Sequence, residues 1–204
     1  SDHQGRYSYS NQPAVAFWNL EKFLICFLDF VPKAQLESIL HLFPRIFERE
    51  QSLLFKKKLG LTNCHGEHSD FIGDTLKMMH DCQLDFTSFF RSLSVVDIFD
   101  ENHFLSLFDS AFYEEIKKWR ENYINILQHE KPNQVQMRRS NPKFILRNYI
   151  AQEVIEDVES GGDHLLKKWI NVFKTPFDEH EEIDLSYAKE TPDDKKNIIV
   201  SCSS

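Results

Sequence analysis

The 204-residue chain carries 32 acidic side chains against 24 lysines and arginines, a formal charge of -8 at pH 7. That balance argues against binding along a nucleic-acid backbone, because no concentrated run of cations is present to displace condensed counterions. With 41 % hydrophobic residues and 18 Phe the chain can build a core, but six Gly and no GxGxxG or GxxxxGK[ST] leave it without the tight turns that cradle phosphates.

In chain order, residues 1–12 read as a loop, followed by a helix that Asn11 and Pro13 open. Phe17, Leu20, Leu24, Phe27 and Leu28 fall on one stripe with Trp18 and Ile25 beside it, so this helix is expected to be covered on most sides until Pro32 ends it. Leu36, Ile39, Leu40 and Phe43 keep the i, i+3, i+4, i+7 spacing of a second helix. Pro44 kinks or restarts it, and Gly60 is its natural stop. "TNCHGEHSD" reads as a polar loop, with Ser69 or Asp70 capping a helix through Met79. Phe86, Phe89, Phe90 and Leu93 mark the next helix, Asp100 to Phe108 a short one, and Phe112, Ile116, Trp119, Tyr123 and Leu127 a long one.

"KPNQVQMRRS" reads as a linker, and Asn141-Pro142 as the start of a helix ending at Gly161. Asp163 opens a last helix carrying Leu166, Trp169, Ile170 and Phe173. Residues 175–204 form an acidic, irregular tail that closes on "IIVSCSS". No strand alternation of useful length and no internal repeat appear, so the fold class is all-α, with the helical region spanning 13–174.

The longest apolar stretch, near Phe23 to Val31, is interrupted by Asp29 and too short to span a membrane. No signal peptide is visible, and four cysteines in 204 residues do not make a disulfide framework; a reducing, cytoplasmic setting is the expectation. Cys64, His65, His68, His80 and Cys82 offer soft ligands, but their spacing is irregular and a polar loop followed by an ordinary helix accounts for them. Asp2 and His3 have no accompanying nucleophile motif. Arg138, Arg139 and Arg147 suit an anion near a helix start; the reading preferred for Arg147 and Asn148 is hydrogen bonding between neighbouring helices. Cys202, three residues from the end, is either a tail thiol able to exchange with a partner cysteine or an inert surface thiol, and position leaves both open.

Several segments fit one pattern. "SDHQGRYSYSNQPAVAFWNL", "DFTSFFRSLS", "NPKFILRNYIAQEVIEDV", Pro176-Phe177 and the terminal "SCSS" occur in the order found in the selenoprotein O (SelO/YdiU) family, which the chain resembles along essentially its whole length. The resemblance implies a kinase-like fold and a protein adenylyltransferase that uses ATP and Mg²⁺ to transfer AMP to Ser, Thr or Tyr hydroxyls of protein substrates. In such a reaction, positioning and electrostatics carry most of the catalysis. The family's nucleotide-binding, catalytic and metal-binding residues belong to segments upstream of "SDHQGRY", so no catalytic, cofactor or metal residue is carried onto this chain.

The chain is therefore expected to be the C-terminal part of a longer protein, binding no ATP or Mg²⁺ alone, with the catalytic part as its partner. It is also expected to show an exposed apolar patch and to have neither nucleic acid nor membrane as partner. The resemblance maps the family's terminal redox residue, selenocysteine in other members, onto Cys202, whose implied cysteine partner would precede Ser1. Two rival readings stand beside this one: a stand-alone helical interaction protein, and a zinc-binding helical module.

Overall fold

A computed structural model describes residues 6, 8, 11–62, 64, 68–128 and 131–200. Among them there are helices and turns and no strand, as an all-α chain requires. The chain divides into two compact units, one running to Leu53 and one over Leu54–Val200.

The first unit holds α1 (Gln12–Ile25), α2 (Lys33–Leu40) and the first part of α3 (Phe43–Lys58). Pro13 lies in the first turn of α1, where its missing N–H is no loss. A break at His41 and Leu42 separates α2 from α3, so Pro44 sits in the opening turn of a new helix rather than at a kink. The Phe17 and Phe43 rings lie 5.9 Å apart. The expectation that α1 is covered on most sides does not hold: none of its residues is buried, and Leu36 is the one buried side chain among the unit's described residues.

The second unit begins with the stop of α3. Gly60 takes φ +67°, Gly60 N–H donates to Lys57 O at 3.3 Å, and Leu61 N–H donates to Lys56 O at 2.8 Å. This is a Schellman ending, and the left-handed position is the reason for glycine. There follow α4 (Ser69–Asp81), α5 (Phe86–Leu93), α6 (Glu101–Leu105), α7 (Tyr113–Ile126), α8 (Gln134–Ser140), α9 (Asn148–Glu159) and α10 (His164–Lys174).

Two hydrophobic clusters organise this unit. The first, from α3 to α8, centres on Leu59, Phe90, Ile116, Tyr123 and Met137. Phe71 stacks on Trp119 and Tyr123 at 5.7 and 5.8 Å. Trp119 Nε1 donates to Thr75 Oγ1 at 2.8 Å, and the Tyr123 hydroxyl donates to Leu59 O, so the polar ends of these buried rings are satisfied. The second cluster gathers Phe144, Tyr149 and Ile150 with Trp169, Val172 and Ile183.

Four boundaries differ from the sequence expectation. His68, at φ 54°, is the N-cap of α4, and Ser69 is already helical. The short helix from Asp100 stops at Leu105. The expected linker over 131–140 contains α8, capped where the Asn133 side chain accepts from Gln136 N–H at 3.1 Å and pinned by fully buried Met137.

Residues 141–147 are non-helical, and α9 starts at Asn148 instead of Asn141. Asn141 precedes a proline, which excludes the helical region, and takes φ -120°, ψ 101°. The following amides of Lys143 and Phe144 donate across to Pro176 O at 2.8 and 3.2 Å, so their partners are found outside any helix. Gly161, at φ +87°, ends α9 as expected.

Candidate functional site

The stretch that begins at Asn141 and the stretch that begins at Asp85 meet in the second unit. Asp85 caps α5, its Oδ1 accepting from Ser88 N–H at 2.8 Å. The same carboxylate receives Arg147 Nη1 and Nη2, each at 2.9 Å, a two-pronged pair in which both side chains are largely shielded from solvent. Burial pushes the Asp85 carboxyl up, but the Arg147 guanidinium and the Ser88 amide outweigh it and bring the group down from 3.8 to about 2. Arg147 thus ties two helices together, as the sequence suggested, but from the N-cap of α9 rather than from inside a helix.

Further along α5, Arg91 and the C-cap residue Ser94 engage the same extended stretch. Buried Arg91 donates from Nη1 to Asn141 O at 3.2 Å and Phe177 O at 3.3 Å, and pairs through Nη2 with Glu179. Fully buried Asn141 donates from Nδ2 to Lys58 O and Ser94 Oγ, both at 2.9 Å. Lys58 Nζ returns the bond to Asn141 Oδ1 at 3.2 Å and also reaches Ser140 O at 3.0 Å. Burial lowers the Lys58 ammonium from its ordinary value. Lys143 Nζ donates to Glu179 O at 2.6 Å. The end of α3, helix α5, the 141–147 stretch and the Pro176–Glu179 turn are therefore fastened at one junction.

Chemically, the junction holds rather than reacts. A carboxylate titrating near 2 and doubly bonded to a guanidinium is no general base at neutral pH. Lys58 points at carbonyl oxygens, which makes it an anchor. Asp85, Arg91 and Glu179 were not singled out as site residues in the sequence; a cap signal at Asp85 was available, but partners 62 to 88 residues away were not.

The other sequence candidates lie apart. Cys82 is buried in the first cluster, where burial and then nearby Glu115 push its thiol up, while Cys64 is half-buried at that cluster's edge. His80 is exposed, as is Arg139; Arg138 Nη1 lies 3.4 Å from Ser94 O. Among the described residues no group of three or more His, Cys, Asp or Glu is arranged to hold a metal ion. His65, Asp2, His3 and Cys202 lie outside the described residues. No helix among the described residues is long and apolar enough to cross a membrane. A cavity of about 240 Å³ beside α4 and α7, lined by Phe71, Asp74, Met78 and Trp119, is smaller than the roughly 300–1,000 Å³ of most ligand sites, whereas an open one of about 370 Å³ beside α10, lined by His164, Lys168, Asn171 and Glu182, falls within that range.

The tail is tied to α9. Glu153 accepts from the Tyr187 hydroxyl at 2.9 Å and from Lys195 Nζ at 2.7 Å, and Asn148 Nδ2 donates to Ile198 O at 3.1 Å. These bonds fix the path of the chain up to the residues just before the terminal Ser-Cys-Ser-Ser.

Comparison with known proteins connects these observations. The family model described as protein adenylyltransferase SelO matches residues 1–174, which takes in the junction except its Pro176–Glu179 turn. Proteins named protein nucleotidyltransferase YdiU are similar throughout: that of Marinomonas sp. is 34 % identical, that of Hydrogenovibrio crunogenus 33 % and that of Photobacterium profundum 30 %, each over 100 % of this chain. The chain spans 43 % of the length of each of these relatives. With a family match over residues 1–174 and relatives at least 30 % identical along its whole length, the chain belongs to the SelO family of protein nucleotidyltransferases.

Proposed function

We propose that this chain is the C-terminal helical part of a SelO-type protein adenylyltransferase, a kinase-like enzyme that moves AMP from ATP, with Mg²⁺, to Ser, Thr or Tyr hydroxyls of protein substrates in the cytoplasm. On this reading ATP, Mg²⁺ and the reacting groups belong to the portion of the enzyme outside this chain. No chemical step is assigned to the residues of this chain. Their work is mechanical. A nucleotidyl transfer depends on positioning, and positioning needs supports that do not shift.

The observation that carries the proposal is the junction itself: the Asp85–Arg147 pair and the Asn141–Ser94 bond lock together two of the segments on which the resemblance to the family was drawn, and Asn141–Lys58 ties in the end of α3. The Glu153 and Asn148 bonds would have a second duty, delivering the tail toward the place where Cys202 acts as the redox residue. A rival reading, a stand-alone interaction domain, draws on the apolar side chains left exposed in the first unit.

The two are separated by joining this chain to the unmatched portion of the Marinomonas protein and supplying ATP labelled at the α-phosphate. Label transferred to protein by the joined polypeptide, and not by either piece, supports the enzyme reading. A soluble, folded joined polypeptide that transfers none favours the interaction domain.

A further inference from the structure

We infer that α1 is an internal helix of the complete protein, enclosed on both flanks by the portion of the family fold that this chain does not span. At about 100° per residue, six of the apolar side chains of α1 occupy about 220° of its circumference, from Phe23 through Leu20, Leu24 and Phe17 to Ile25 and Trp18, with half-buried Val15 lying beyond Trp18. A helix lying on a surface needs an apolar stripe of only about 100°. Burial follows the same order. Phe17, Leu20 and Leu24, in the middle of the arc, are half-buried, whereas Phe23 on one flank is 60 % exposed and Trp18 and Ile25 on the other are 45 % and 49 % exposed.

The turn that follows continues the exposure, with Phe30 at 83 %. One middle stripe is thus already used within the unit, and the two flanks remain open to solvent over much of their surface, with Arg6 over the Trp18 ring at 4.7 Å and Phe27 against Phe23 at 5.1 Å. A single added helix or peptide covers one flank; covering both takes a body that wraps around.

Three observations fix the occupant. The family model begins at residue 1, so α1 belongs to the common fold and is not an appendage. In the YdiU relatives more than half of the chain lies outside the matched region and is joined to it covalently, at an effective concentration that a free partner cannot match. The helix is too short to span a bilayer, and the formal charge of -8 works against pairing with a second copy. This inference rests on the enzyme reading above but concerns where the missing portion sits, not what it catalyses.

The test is hydroxyl-radical footprinting read by mass spectrometry, on this chain and on the same chain joined to the unmatched portion of the Marinomonas protein. Oxidation at Trp18, Phe23 and Ile25 is expected to be high in the chain alone at every concentration and to fall several-fold in the joined polypeptide, while exposed Leu185 stays unchanged. Equal oxidation in both forms overturns the inference. So does protection in the chain alone that grows with concentration, which indicates a second copy, or protection by phosphatidylglycerol vesicles, which indicates a membrane surface.

A Trp18→Asp/Phe23→Asp variant of the chain alone covers the case in which the joined form does not fold. Its helicity and unfolding temperature are expected to match the parent, and a marked fall in either means the flanks already pack within the chain. Protection without label transfer leaves the inference standing and removes the enzyme reading; label transfer without protection does the reverse.

Discussion

At Asp85 two opposing effects act on one carboxyl group. Desolvation favours the neutral acid, while two guanidinium bonds and one amide favour the anion, and the anion prevails with a value of about 2 against the usual 3.8. The folded-state value is the lower one, so the carboxylate contributes stability that is present above about pH 4 and is lost as pH falls toward 2. The contribution is about 1–2 kcal/mol at neutral pH after allowance for partial exposure.

Asp85→Asn should therefore unfold at a lower denaturant concentration at pH 7, and its stability should fall less steeply than the parent's between pH 4 and pH 2. Equal slopes in denaturant titrations across that range would show that the pair is not what holds the carboxylate ionised. The variant should lose more than the linkage figure alone, because Arg147 is left as a shielded charge without its counter-ion. Residue types suggested that Arg147 would bridge helices. They did not name Asp85 as its partner, since a pairing across 62 positions depends on how α5 and α9 come together.

Among the elements, the caps were readable and the short helices were not. Gly60 and Gly161 both stop helices at positive φ, which glycine adopts without penalty and which sequence position alone suggested. The helix α8 was missed because seven residues give too few apolar positions for a period, and what stabilises it is the fit of Met137 into the first cluster. The early start assigned to α9 failed because Asn141, which resembles a cap, spends its side chain on Lys58 and Ser94.

The two stop glycines make a controlled comparison. A Cβ on Gly60 would stand 2.8 Å from Met137 Sδ and 2.9 Å from Pro132 Cβ, whereas one on Gly161 meets nothing within 4 Å. Gly161→Ala should cost about 1 kcal/mol, the backbone penalty alone. Gly60→Ala should cost about 2–4 kcal/mol, because the buried Met137 must also move. Thermal unfolding of the two variants checks this, and equal losses would mean that Met137 is not held against the turn.

On the scale of the whole molecule, the apolar residues divide unevenly. The second unit buries two aromatic-rich clusters, while the first leaves Trp18, Phe23 and Phe30 in solvent. Periodicity announced the longer helices of both units, because it reports that a face is apolar and not what covers it. At this scale the junction of Asp85, Arg91, Asn141 and Arg147 belongs to the better-packed unit, where it fastens α5 to the 141–147 stretch.

The most direct measurement is a calorimetric titration of this chain, alone and folded, with ATP in the presence of Mg²⁺. The bracing role predicts no saturable heat; stoichiometric binding would contradict it and return the nucleotide site to these helices.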